Sequence, residues 1–222
     1  MIVAIDGPAG AGKSTVARLV AEELGFGYLN TGSMYRAVAL AAHRRSVDPN
    51  DGTAVAELAR DHVVRLVMGD SGECVLLDDE DVTAMVRAPE ISAIVPHVAA
   101  HAPLRTIVVG WQRDVMDTGD WVVDGRDIAT VVAPHAEVKV FLTASPEERS
   151  RRRHAELAAS GEAPPLESVH ADMRLRDARD AGRTASPMEV AEGATVVDTT
   201  GLTITEVVGA IRDLVRRAGG SA

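Results

Sequence analysis

Residues 2–15 read Ile2-Val3-Ala4-Ile5-Asp6-Gly7-Pro8-Ala9-Gly10-Ala11-Gly12-Lys13-Ser14-Thr15. Four apolar residues ending in an acid predict a short buried strand. Gly7, Gly12, Lys13 and Ser14 then fulfil the pattern of two glycines five apart followed by Lys and Ser. A chain of this composition would produce that pattern in about two of a thousand shuffles, even before a strand and a helix are required on either side. Val16, Leu19, Val20 and Leu24 continue at helical spacing, and Gly25 is the expected stop. Strand, glycine-rich loop and helix together make a phosphate loop. Its glycines let backbone N–H groups curl around phosphate oxygens, the helix offers its positive end, and Lys13 places a compact charge on the outer phosphates. The expected nucleotide-binding set is Gly7, Pro8, Ala9, Gly10, Ala11, Gly12, Lys13, Ser14 and Thr15, with Ser14 as the magnesium ligand.

Outward from this loop, strands and helices alternate. Gly27 to Asn30 predicts a second strand and Ser33 to Arg45 a helix. A turn over Val47 to Gly52 precedes another helix to about Arg60. Val63 to Met68 and Glu73 to Leu77 flank Gly69-Asp70-Ser71-Gly72 and predict a hairpin, a β-rich insert at about 62–95. Glu90 to His101 and Leu104 to Met116 read as helices. Trp121 to Asp124 and Glu137 to Leu142 read as buried strands, separated by the polar turn Gly125-Arg126-Asp127. A helix from Pro146 breaks at Ser160 to Pro165 and resumes to about Asp180. Ala194 to Val197 is the last strand and Thr203 to Arg217 the last helix. The expected fold is therefore α/β: one domain over 1–222, with a parallel sheet, helices on both faces and right-handed crossovers.

Composition narrows the function. At 222 residues and 46% hydrophobic, the chain is long enough to bury roughly 70–75% of its unfolded surface without disulfides or a structural metal. With a net charge of −10, it has no general affinity for nucleic acid or anionic membrane, so an anionic ligand must be gripped locally. A lone cysteine, Cys74, and the lack of clustered Cys and His exclude an internal disulfide and a zinc site. The early acid Asp6 and the absence of a long apolar run argue for a cytoplasmic chain. Of 23 Lys plus Arg residues, only Lys13 and Lys139 are lysine, so the lysine in the phosphate loop stands out. Trp111 and Trp121 read as core residues.

A phosphate loop by itself fits a kinase, a GTPase or a switch. Val196 to Gly201 offers the GTPase-like pattern of Asp198, two residues and Gly, but it lies on the last strand, and Lys139 between valines supplies no guanine-selecting motif. Arginines beside turns and acids favour a kinase. Arg36 follows the second strand, Arg126 lies between Asp124 and Asp127, and Arg183 follows Asp180. Open parallel sheets bind ligands beyond the carboxyl ends of their strands, which is where Asp6, Asn30 and Asp124 place the turns.

With these motifs in order, the chain resembles the bacterial cytidylate kinases, members of the nucleoside monophosphate kinases. The resemblance rests on Ile5-Asp6-Gly7-Pro8 with the phosphate loop, Leu29 to Arg36, the β-rich insert, Asp124 to Ile128, Val138 to Leu142 with the arginine-rich helix, and Arg176-Asp177 through Asp180 to Arg183. It implies an ATP-dependent, magnesium-dependent kinase for CMP and dCMP that acts as a monomer without a covalent intermediate. Arg36, Arg126 and Arg183 would hold the CMP phosphate, while Thr31, Arg105 and Asp127 would read cytosine. Asp180 and Arg176 would face the sugar, and Tyr35 would line the base pocket. Lys13, Arg126, Arg183, Arg152 and Arg153 would act on the transferring phosphates, and the resemblance implies a helical lid at about 149–166 that carries Arg149, Arg152 and Arg153 on one face. The chain departs from the family's pattern at three positions. Pro96 stands where a sugar-contacting serine is expected, leaving Ser92 one turn earlier as the substitute; Ala129 replaces a usual glycine; and Asn30 stands where an acid is common.

Overall fold

In the computed structural model, which describes residues 1–69, 72–159, 161, 164–182 and 186–219, β1 (Ile2–Asp6) is the central strand of a five-stranded sheet. The other strands are β2 (Gly27–Asn30), β6 (Trp121–Asp124), β7 (Val138–Thr143) and β8 (Thr195–Asp198), in the order β2-β6-β1-β7-β8. β1 runs parallel to β6, with Ile5 opposite Asp124, and to β7, with Asp6 opposite Phe141; β8 runs parallel to β7. Three strands therefore end at the level of Asp6, Asp124 and Thr143, as a parallel sheet with ligand-bearing turns requires.

The chain divides into two compact units, Met1–Tyr28 with Thr118–Ala222, and Leu29–Asp117. The boundary falls inside β2, so the second unit is larger than the expected insert and includes the helices before and after it.

In the first unit, Val3 and Ile5 of β1, Val122 of β6 and Val138, Val140 and Leu142 of β7 form one buried cluster. Val16 and Val20 of α1 (Lys13–Leu24) and Val207, Ile211 and Val215 of α8 (Ile204–Ala218) complete it. Burying each such side chain contributes roughly 1.5–3 kcal/mol, enough to anchor both helices on the sheet. α8 begins at a capping box in which Thr203 and Glu206 satisfy each other's backbone N–H groups. The two arginine-rich helices are α6 (Pro146–Ala159) and α7 (Leu166–Ala181). α6 buries only Arg149 and Ser150, so polar contacts and not an apolar face hold it. One element is unanticipated, a π-helical turn at Ile128–Val132 directly after the polar turn.

The second unit holds α2 (Thr31–Arg44), α3 (Gly52–Arg60), a three-stranded antiparallel sheet of β3 (Val64–Gly69), β4 (Gly72–Leu77) and β5 (Glu80–Asp81), α4 (Pro89–Val98) and α5 (Ala102–Met116). Asp51 caps α3 through Thr53 and Ala54. α2 starts two residues earlier than expected, and α4 stops at Val98 instead of His101. His101 is extended (φ −80°, ψ 118°) to enter α5, whose first turn holds Pro103. Trp111 and Trp121 are half-buried, not core residues; the Trp121 ring lies against Gly27, where a Cβ would come within 2.5 Å of it. Among the described residues, no single helix is long and apolar enough to cross a membrane.

Candidate active site

The first unit presents the phosphate loop with its parts assembled. Gly7 has φ +143°, and a Cβ there would sit 2.0 Å from the Leu142 carbonyl oxygen; at Gly10, φ +73°, a Cβ would meet the Arg149 carbonyl oxygen at 2.7 Å. Only glycine fits either position. α1 opens at Lys13 with no side-chain cap and no acid in its first turn, so its N-terminal N–H groups and positive dipole end are kept for an anion.

Lys13 is buried, and its Nζ donates to the Pro8 carbonyl at 2.8 Å. Burial pushes the ammonium down to about 7; the Arg126 and Arg176 guanidiniums push the same way, against Asp124 and Asp6. Ser14 Oγ donates to Asp124 Oδ2 at 2.7 Å, and Tyr28 Oη donates to Asp124 Oδ1 at 2.9 Å. Burial raises the Asp124 carboxyl above its usual range. Hydroxyl and carboxylate oxygens side by side next to the loop lysine suit a hard cation that brings its other ligands as water and phosphate oxygen. No cluster of three or more His, Cys, Asp or Glu able to hold a metal occurs among the described residues. Sequence reading found Ser14; the Asp124 carboxylate beside it emerges only from the pairing of β1 with β6.

Asp6 is a second carboxylate that sequence reading passed over. It is 2% exposed, and its two oxygens accept the Ile128 and Ala129 N–H groups at 2.8 Å each. Burial pushes it up to about 6, against those two hydrogen bonds. Asp6 thereby fixes the start of the π-helical turn immediately after Asp127, which is itself buried. With Ala129 in place of the usual glycine, the turn still makes this contact. Arg126 pairs through Nε with the buried Asp180 carboxylate and donates from a terminal nitrogen to the Gly7 carbonyl at 3.0 Å. Arg176 is half-buried on α7.

Arg149 is expected beside Arg152 and Arg153 on the face of a lid whose arginines reach the transferring phosphates. It is buried, donating to the Ala144 carbonyl at 3.1 Å, the Ala9 carbonyl at 3.3 Å and Asp177 at 2.5 Å. It thus ties α6 to the phosphate loop and to α7. Arg152 donates to Glu148 at 2.8 Å and to the side chain and carbonyl of Thr199 at 2.9 Å each. Thr199 in turn donates towards the Thr143 and Ala11 carbonyls, so the turn after β8 is tied to the loop. Arg153 pairs with Glu156 one turn along the same helix. Arg183 lies outside the described residues, as do Ser160, Glu162 and Ala163 of the expected lid.

The second unit groups the other named residues. Thr31 is the first residue of α2 and is buried, as is Tyr35 one turn later. The buried Arg105 guanidinium lies 5.2 Å from the Tyr35 ring centroid and donates to the Ala99 carbonyl at 3.0 Å. Arg36 donates to Ser92 Oγ at 2.8 Å and the Val86 carbonyl at 3.0 Å. Ser92 therefore sits beside the arginine assigned to phosphate, while Pro96 lies within α4.

A family model described as cytidylate kinase matches residues 3–217. A cytidylate kinase of Carboxydothermus hydrogenoformans is 46% identical over 217 residues, covering 98% of each chain. One from Exiguobacterium sibiricum is 44% identical over 216 residues, covering 97% of each. A crystal structure of an uncharacterized protein from Eubacterium ventriosum shares the fold at a TM-score of 0.52 and 10% identity, over 97% of this chain and 98% of that one. A match that takes in the phosphate loop, the insert and the arginine-rich lid together leaves one conclusion: this chain belongs to the cytidylate kinase family.

Proposed function

We propose that the protein transfers the γ-phosphoryl group of ATP to CMP, and also to dCMP, forming CDP or dCDP and ADP. The observation that carries this reading is the phosphate-loop unit, with Lys13 and the Ser14–Asp124 pair in place, in a chain whose named relatives are cytidylate kinases over almost their whole length.

Transfer breaks the bond between the γ-phosphorus and the β,γ-bridging oxygen and forms one to an oxygen of the acceptor phosphate. That phosphate is already a competent nucleophile at neutral pH, so no side chain need take a proton. The chain's work is to position and to stabilise charge. The loop amides and Lys13 hold the donor phosphates. Ser14 and Asp124 would hold a magnesium ion arriving with ATP, which when bound spreads the developing negative charge.

Arg36, Arg126 and Arg183 are assigned to the acceptor phosphate, where a planar fork matches paired oxygens better than an ammonium does. Thr31, Arg105 and Asp127 are assigned to cytosine. Asp127 accepts from its exocyclic amine and Arg105 donates to its carbonyl and ring nitrogen; uracil reverses the first pattern. Tyr35 lines the base pocket, and Arg176 and Asp180 serve the sugar. Arg152 and Arg153 reach the transferring group once the lid closes and leave their present partners to do so. An acidic monomer with a single cysteine, acting on small nucleotides in the cytoplasm without nucleic acid or membrane, fits this role.

Incubation with ATP, magnesium and CMP should yield CDP and ADP in equal amounts, separated by anion exchange. ADP with inorganic phosphate and no CDP would refute it.

A further inference from the structure

Helix α2 carries Thr31, Tyr35 and Arg36, yet its N-terminus lacks the usual local support. Asn30 occupies the capping position without making a side-chain cap, and the first turn has no acid. Uncapped helix starts are costly and loosely held. An acid does arrive there, from the insert. Glu73, the second residue of β4, stands opposite Met68 in the hairpin. One oxygen of its carboxylate accepts from Ser33 Oγ at 2.7 Å and from Asn30 Nδ2 at 3.4 Å. Ser33 is buried in the first turn of α2. A single acid on the insert thus fastens the capping residue and the third residue of the helix, and its charge lies at the positive end of the helix dipole.

Resting on the proposed function, we infer that Glu73 is a positioning residue for the acceptor nucleotide: through Ser33 and Asn30 it makes the β-rich insert hold the first turn of α2, and so Thr31, Tyr35 and Arg36, in register for binding. The insert then does more than enlarge the unit, because it anchors the side chains at the start of α2. Glu73 belongs to the unit that carries Thr31, Tyr35 and Arg36, and the phosphate loop to the other, so its effect should fall on one substrate only.

The test compares the full-length parent with Glu73→Ala, Glu73→Gln and Ser33→Ala, each checked for folding by its thermal transition, in steady-state assays that vary acceptor and ATP separately. Loss of a hydrogen bond to a charged group predicts that Glu73→Ala raises KM for the acceptor about tenfold or more, with KM for ATP unchanged. Ser33→Ala should raise acceptor KM in the same way, and adding it to Glu73→Ala should bring little further loss, because both remove one interaction. Glu73→Gln, which keeps an acceptor oxygen for Ser33, should restore most of the acceptor affinity. The inference is overturned if acceptor KM is unchanged in Glu73→Ala and Ser33→Ala, if ATP KM rises equally, or if the two effects simply multiply. The parent control separates this from the functional reading: a parent that phosphorylates some acceptor other than CMP refutes the proposed substrate, while the Glu73 comparison is then made with the acceptor it does use.

Discussion

Lys13 offers the sharpest quantitative consequence. In the unliganded protein its ammonium is pushed down to about 7 by burial first and by Arg126 next. Against the ordinary value of 10.5, that is a bias on the order of 5 kcal/mol against the charged form. At pH 8 only about a tenth of the molecules then carry the charge. Phosphates arriving beside Nζ restore the ammonium, so ATP binding without acceptor should take up most of one proton at pH 8. The nucleotide's own phosphates and the histidines are largely deprotonated at pH 8 and contribute little there. Titration calorimetry in HEPES and in Tris reads the number directly, as the slope of observed enthalpy against buffer ionisation enthalpy. The linked stability effect has a definite sign. Between about pH 7 and pH 10 the unfolded chain binds a proton that the folded chain lacks, so unliganded stability should rise with pH, and Lys13→Met should abolish the rise. Zero or negative proton uptake at pH 8 would refute the picture of a lysine held neutral until phosphate arrives.

Other consequences can be checked alongside. Asp124→Asn keeps the shape but removes the carboxylate that Ser14 and Tyr28 address. It should cut turnover by about 10–100-fold and raise the magnesium needed for half-maximal rate; near-normal turnover at low magnesium would remove Asp124 from the site. Arg105→Ala and Asp127→Ala should each cost about 1–3 kcal/mol of preference for CMP over UMP, and an unchanged ratio of kcat/KM values in both would discard the base assignment. Asp6, raised to about 6, binds a proton in the folded chain that the unfolded chain has lost, so its contribution makes stability fall as pH rises from about 4 to 6. Denaturant titrations should show that fall in the parent and a flatter profile in Asp6→Asn.

The contrast between residues legible in sequence and those that were not has a physical origin. The phosphate loop could be read because its backbone conformation demands glycine at fixed spacing, and Gly7 and Gly10 do meet carbonyl oxygens where a Cβ would sit. Strands such as Trp121–Asp124 announced themselves as short apolar runs. Residues whose role depends on distant pairing left no such mark. Asp6 looks like a strand-ending acid until its oxygens meet Ile128 and Ala129, more than 100 residues away. Asp124 becomes a neighbour of Ser14 only through the pairing of β1 with β6. Arg149 shares its helix with Arg152 and Arg153, but burial makes it a brace where they remain partly exposed. Glu73 reads as a polar strand residue, since nothing local in the hairpin shows that α2 lacks a cap. The π-helical turn was equally hidden, because the Asp6 carboxylate that fastens its start lies far away in sequence.

The most direct measurement is ADP release, coupled to a reporting enzyme, with ATP, magnesium and a panel of acceptors: CMP, dCMP, UMP, AMP, GMP and none. Phosphoryl transfer to a cytosine nucleotide requires kcat/KM highest for CMP or dCMP, with UMP lower by about tenfold or more and little release without acceptor. Equal ADP release in every tube, or a purine monophosphate as the fastest acceptor, would contradict it.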